Sequence, residues 1–109
     1  MLTEKDYCDY GLLRSLIEIG YPKYRILDTG FRILLYEAQK WLREEKGIVV
    51  DVSFSPMEYF ATIYINVRQT DSDKMYEFDK RVYAEGGDSY EEALLEGIKE
   101  AVKLLKEDK

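Results

Sequence analysis

Tyr59-Phe60-Ala61-Thr62-Ile63-Tyr64-Ile65-Asn66-Val67 decides the fold. Tyr59, Ala61, Ile63, Ile65 and Val67 alternate with Phe60, Thr62, Tyr64, Asn66 and the next residue, Arg68. Period-two alternation is the signature of a strand with one buried face. Upstream, Ile48, Val50, Val52 and Phe54 alternate with Val49, Asp51 and Ser53, and Pro56 ends the run. Downstream, the polar stretch Gln69-Thr70-Asp71-Ser72-Asp73-Lys74 turns the chain. Tyr76, Phe78 and Val82 then alternate with Glu77, Asp79, Arg81 and Tyr83. Three such runs in succession predict an antiparallel meander.

Helical patterns flank the strands. Ser89-Tyr90-Glu91-Glu92 reads as a capping box after the breaker Gly86-Gly87. Leu94, Leu95, Ile98, Ala101, Val102 and Leu105 then share one face of a helix reaching about Lys106, with Glu91, Glu92, Glu96, Lys99, Glu100 and Lys103 opposite. Before the meander, residues 34–46 form a helix that Gly47 stops, its stripe made by Leu34, Leu35, Ala38, Trp41 and Leu42. Near the start, Asp9 is a good N-cap for a helix to Ile19, which carries Leu12, Leu13, Leu16 and Ile17 and ends at Gly20-Tyr21-Pro22. Residues 24–34 fit two patterns. Asp28-Thr29-Gly30 can turn a hairpin between Tyr24-Arg25-Ile26-Leu27 and Phe31-Arg32-Ile33-Leu34, or Phe31 can begin the following helix. The hairpin is the reading adopted. The fold class is α+β, a three-stranded antiparallel meander with two helices on one face. Residues 34–106 form this helix-strand-strand-strand-helix core and residues 1–33 an N-terminal helical extension, in one domain of 109 residues.

Composition removes several classes of function. With no histidine there is no Ser-His or Cys-His catalysis and no imidazole ligand. The single cysteine, Cys8, makes neither an internal disulfide nor a cysteine zinc site, which suits a reducing compartment. The opening residues lack the basic and apolar regions of a signal peptide, and no apolar run nears the roughly 20 residues that span a bilayer. A cytoplasmic protein with no membrane partner is expected. A net charge of -6 disfavours a general grip on phosphate backbones. Tyrosine supplies 10 of the aromatic residues, against 4 Phe and 1 Trp, an unusual share.

The element order matches that of double-stranded-RNA-binding domains, whose last helix opens with lysines set against phosphates. Here the matching stretch, Gly87-Asp88-Ser89-Tyr90-Glu91-Glu92-Ala93, places Asp88, Glu91 and Glu92 where lysines are needed. Those acids complement the helix dipole and repel phosphate, so no nucleic-acid partner is expected. With Glu85 they also spoil Gly86-Gly87 as an anion nest, leaving a strand-to-helix turn. Asp71-Ser72-Asp73 begins like a calcium loop, but Tyr76 and Val82 stand where its glycine and its last glutamate belong. Asp51, Glu77 and Asp79 fall on the outer sheet face and read as solvated carboxylates. Asp6 and Asp9 flank Cys8 and raise its pKa, so it reads as an unreactive thiol. Trp41 lies in an apolar stripe and reads as core. No catalytic, cofactor or metal residue is assigned.

The sheet's second face remains. If the helices cover Val50, Val52, Ile63, Ile65 and Phe78, the other side carries Val49, Asp51, Thr62, Asn66 and Glu77 together with Phe60, Tyr64, Arg68, Arg81 and Tyr83. The last five form the candidate protein interface, because Tyr and Arg are over-represented at interface hot spots. The plainer reading is an exposed face strengthened by cross-strand aromatic pairs such as Tyr64 with Tyr83.

Three stretches carry a resemblance. Tyr7-Cys8-Asp9-Tyr10 leads to Leu16-Ile17-Glu18-Ile19-Gly20-Tyr21; Tyr36-Glu37-Ala38-Gln39-Lys40-Trp41-Leu42-Arg43-Glu44 precedes Gly47-Ile48; and Ser89-Tyr90-Glu91-Glu92-Ala93 leads to Gly97-Ile98-Lys99-Glu100-Ala101. In this order they resemble small uncharacterised proteins encoded by phages and prophages of gut bacteria, and the resemblance spans most of the chain. That family has no established activity, so no residue inherits a role. The last stretch also looks like the helix of HicB-type antitoxins, whose pattern the leading helices do not share. The expectation is a phage-derived, non-catalytic interaction module that binds a protein partner or itself as a homodimer. The alternative is an acidic inhibitor that mimics nucleic acid to block a nucleic-acid-binding protein.

Overall fold

Asp9 opens the first helix as its side chain allows, its Oδ1 accepting from the Leu12 N–H at 2.8 Å. The structure, a computed structural model, describes residues 2–70 and 75–107. Helix α1 (Tyr10–Glu18) buries Leu12, Leu13 and Leu16 and ends at Gly20. A second short helix, α2 (Lys23–Asp28), follows.

Helix α2 corrects the hairpin expected over residues 24–34. Asp28-Thr29-Gly30 terminates a helix instead of turning a hairpin. Gly30 sits at φ 66°. Its N–H donates to the Leu27 carbonyl at 3.2 Å, while the Phe31 N–H reaches back to Ile26 at 2.8 Å. This is the Schellman closure, which needs a left-handed residue after the helix. Burial explains the choice. A hairpin must turn alternate residues inward along both arms, whereas Ile26 is the one buried residue of α2, and Tyr24, Leu27 and Phe31 are exposed. Helix α3 (Leu35–Lys46) starts beyond, burying Leu35, Ala38, Trp41 and Leu42.

Strand β1 (Val49–Phe54) pairs antiparallel with β2 (Tyr59–Ile65), Val49 opposite Tyr64 and Ser53 opposite Phe60. The long second and third strands expected from the alternation are each interrupted. Asn66 adopts φ 59°, a left-handed conformation that Asn tolerates better than most residues. Beyond it, β3 (Arg68–Gln69) and β4 (Tyr76–Glu77) form a separate two-stranded arm. Strand β5 (Lys80–Tyr83) then returns to the main sheet, whose order is β1-β2-β5. The expected turn at Asp71-Ser72-Asp73 lies outside the described residues.

Helix α4 (Tyr90–Glu107) is held at its start by Ser89. The Glu92 N–H donates to Ser89 Oγ at 3.2 Å, and the Glu92 carboxylate accepts from the Asp88 N–H at 3.0 Å. The helix lies over β1 and β2 and buries Ala93, Leu94, Gly97, Ile98, Ala101 and Val102. Gly97 permits the close approach, since a Cβ there would stand 2.7 Å from both Ala61 and Val50. Helix α3 packs on α4 and along the β1 edge. One cluster of buried side chains runs from Cys8 and Leu12 through Ile63 to Val102, so the N-terminal helices share the core with the sheet. Among the described residues no helix is long and apolar enough to cross a membrane.

Candidate functional site

The main sheet hydrogen-bonds through β2, so each outer-face side chain of β2 has a neighbour on both sides. Tyr64 lies between Val49 and Arg81, and Thr62 between Asp51 and Tyr83. Thr62 is buried although it lies on the face away from the helices. Tyr64 and Tyr83 are therefore diagonal cross-strand neighbours. Tyr83 lies under the Arg81 guanidinium, 5.6 Å from ring centroid to Cζ.

Phe78 changes sides. Strict alternation with Val82 puts it on the helix face, but it is 43% exposed and meets Tyr64 edge-on at 4.8 Å. The left-handed Asn66 and the break at Phe78-Asp79 reverse the phase of the strand beyond them. Val67, Tyr76 and Phe78 thus join Val49 and Tyr64, with Arg43 from α3, around an outer groove of about 540 Å³.

The same reversal takes Arg68 away from Tyr64. Adjacent strand residues point to opposite sides, and Arg68 faces Glu77 across the small arm. Its guanidinium binds Glu77 at 3.3 Å and Asp79 at 2.9 Å. Asp79 also accepts from the Asn66 amide, and these two partners, Asn66 foremost, hold its carboxyl below the usual range. Of the five candidate residues, Phe60, Tyr64, Arg81 and Tyr83 share the face and Arg68 does not. Nor do Asp51, Glu77 and Asp79 converge: the last two are tied up by Arg68, while Asp51 sits on β1 opposite Thr62.

Arg43, Val67, Tyr76 and Phe78 line this groove but do not stand out in the sequence pattern. Arg43 belongs to a helix and reaches the groove only because α3 flanks the β1 edge. Asn66 was the available signal for the other three, because an Asn inside an alternating run is a plausible left-handed break.

Phe54 also departs from the core. It is 67% exposed and packs on Tyr59 at 5.0 Å, while Tyr59 meets Tyr90 at 6.5 Å. Trp41 is buried with Tyr21 edge-on at 5.1 Å, and Cys8 is buried among the core side chains. Gly86 lies so close to the Tyr59 carbonyl that a Cβ would fall 2.6 Å from it. Gly87 bridges Tyr59. The pair thus serves close backbone approach. Among the described residues no group of three or more acidic or cysteine side chains is placed to hold a metal ion.

The chain matches no family model, no curated protein and no solved structure. Its surface is the ground for a functional reading. Tyr10, Tyr24, Tyr36, Tyr76, Tyr83 and Tyr90 are all exposed, so most of the tyrosine excess lies outside the core.

Proposed function

We propose that this chain is a small, non-catalytic interaction module, of the phage-encoded kind its sequence resembles, acting in the cytoplasm by binding another protein. The observation that carries the reading is the outer groove, where Tyr64, Phe78, Tyr76, Val49 and Val67 form an apolar floor beside Arg43. Apolar aromatic floors with an arginine at the rim suit protein partners, whose anchors fill such recesses.

The acidic-mimic alternative draws less support. It requires one sign of charge over a broad surface, yet Lys99 pairs with Asp9, Lys106 with Glu18 and Arg68 with Glu77 and Asp79. Basic and acidic groups are interleaved.

Capture from cells that carry the gene tests the proposal, comparing the native chain with a Tyr64→Asp, Phe78→Asp double variant. Both side chains are partly exposed, so the variant keeps its fold, which circular dichroism checks. Proteins retained by the native chain and lost from the variant support the groove. Identical captured sets from the two would remove it.

A further inference from the structure

The two edges of the main sheet differ. On β1 the outward carbonyl of Val50 accepts from Gln39 Nε2 at 2.6 Å, so α3 covers that edge at Val50. Among the described residues no side chain donates to or accepts from the outward main chain of β5 in the same way. The Ala84 N–H donates to Ala61 at 3.0 Å, which places residues 82 and 84 on the β2 side of the ladder. By alternation, the main-chain groups of Arg81 and Tyr83 point away from the sheet.

Charge is graded along this open edge. Lys80 and Arg81 begin it, and Glu85 ends it beside a groove lined by Glu92, Leu95 and Glu96. Among the described residues Lys80, Arg81, Glu85 and Glu96 take part in no ion pair within the chain. On the helix side Val82, Ala84 and Leu95 are only partly buried, because α4 lies over β1 and β2. The bridge between Tyr59 and Gly87 is one residue out of step with the main ladder, so a bulge after Ala84 limits the pairing segment.

We infer that β5 pairs antiparallel with β5 of a second copy, about a two-fold axis at Tyr83, joining the two sheets into one. The segment Arg81-Val82-Tyr83-Ala84-Glu85 is complementary to itself in that register: Arg81 faces Glu85, Val82 faces Ala84, and Tyr83 faces Tyr83. A shift of two residues either way loses the Arg81–Glu85 match. An open edge strand offers its main-chain groups to this kind of pairing, and two-fold symmetry uses each contact twice.

The inference rests on the interaction-module reading and names the partner as a second copy. Sedimentation equilibrium of the full chain up to millimolar concentration tests it. A concentration-dependent rise to twice the chain mass is expected. Tyr83→Pro removes an outward N–H that the β2 ladder does not use, and abolishes the dimer without unfolding the chain. Arg81→Glu and Glu85→Arg each set like charges opposite and weaken association by about tenfold, while the two together restore it. A strict monomer overturns the pairing, as does a double variant that folds but stays as weak as the singles. Either result leaves the outer groove as a site for other proteins, which the Tyr64 and Phe78 variant tests separately.

Discussion

Gln39 Nε2 donates to the carbonyl oxygen of Val50 at 2.6 Å, fastening α3 to the outward edge of β1. Gln39→Leu preserves size and leaves that oxygen without its partner in a half-buried setting. A loss of about 1–2 kcal/mol is expected, read from urea unfolding. Gln39→Glu sets a carboxylate against the carbonyl, so it loses more at neutral pH than in acid, where the protonated acid donates. Unchanged midpoints in both variants would mean that this bond does not secure the edge.

Gly97→Ala should run against the usual helix trend. In an exposed helix interior the change stabilises by about 1 kcal/mol. Here the new methyl meets Ala61 Cβ and Val50 Cγ1 at 2.7 Å. Overpacking of this kind costs about 1–3 kcal/mol, so a net loss of about 1–2 kcal/mol is expected. A Gly97→Ala, Ala61→Gly pair should recover part of it. A stabilised single variant would show that α4 lifts off the sheet freely.

The fold was legible where periodicity and capping agree. Leu12, Leu13 and Leu16 behind Asp9, the α4 stripe behind Ser89, and the alternation of β1 and β2 each point to one structure. Two places misled for physical reasons. Gly30 serves a hairpin turn and a helix terminator equally well, because both need a left-handed backbone, and the buried Ile26 decides between them only in three dimensions. Alternation through Phe78 assumed an unbroken strand, whereas Asn66 resets the phase. Phe60, Tyr64, Arg81 and Tyr83 accordingly fall on the outer face as their alternation implies, and Arg68 in the arm does not. Arg43 was invisible because helix spacing says nothing about which sheet edge a helix flanks.

Asp9 carries both a cap and an ion pair. Burial pushes its carboxyl up, but the Leu12 N–H and Lys99, 3.1 Å away, outweigh this and hold it below its ordinary value. A carboxyl depressed in the folded state adds stability that is present above about pH 3.9 and is lost as pH falls through the folded pKa. Asp9→Ala should therefore cost about 1 kcal/mol at neutral pH, with the difference shrinking in acid. Lys99→Met should cost less, since exposed pairs contribute about 0–1 kcal/mol. An Asp9→Ala deficit that stays constant with pH would separate the cap from its charge.

Asp79 reports on the arm in the same way. Its carboxyl is lowered first by the Asn66 amide and then by Arg68. Carbon-detected NMR titration should find its midpoint below the ordinary value. Arg68→Met should raise that midpoint only in part, because the Asn66 bond survives. If Arg68→Met restores the ordinary value completely, Asn66 contributes nothing to the turn.

Cys8 should be close to inert while the chain is folded. Burial foremost, then the charges of Asp9 and Glu37, push its thiol up to about 12. The thiolate is the reactive form, so labelling by a thiol reagent at pH 8 should be slow in buffer and fast in urea. The sign of the linkage follows from the same shift. Between the ordinary thiol value near 8.5 and about 12, the unfolded chain has released its proton while the folded chain retains it. Stability therefore falls as pH rises through that window. Cys8→Ala removes this contribution, leaving that of Tyr21, whose hydroxyl burial foremost pushes up in the same direction. Equal labelling rates in buffer and in urea would mean that the N-terminal segment opens readily and that Cys8 is not held in the shared core.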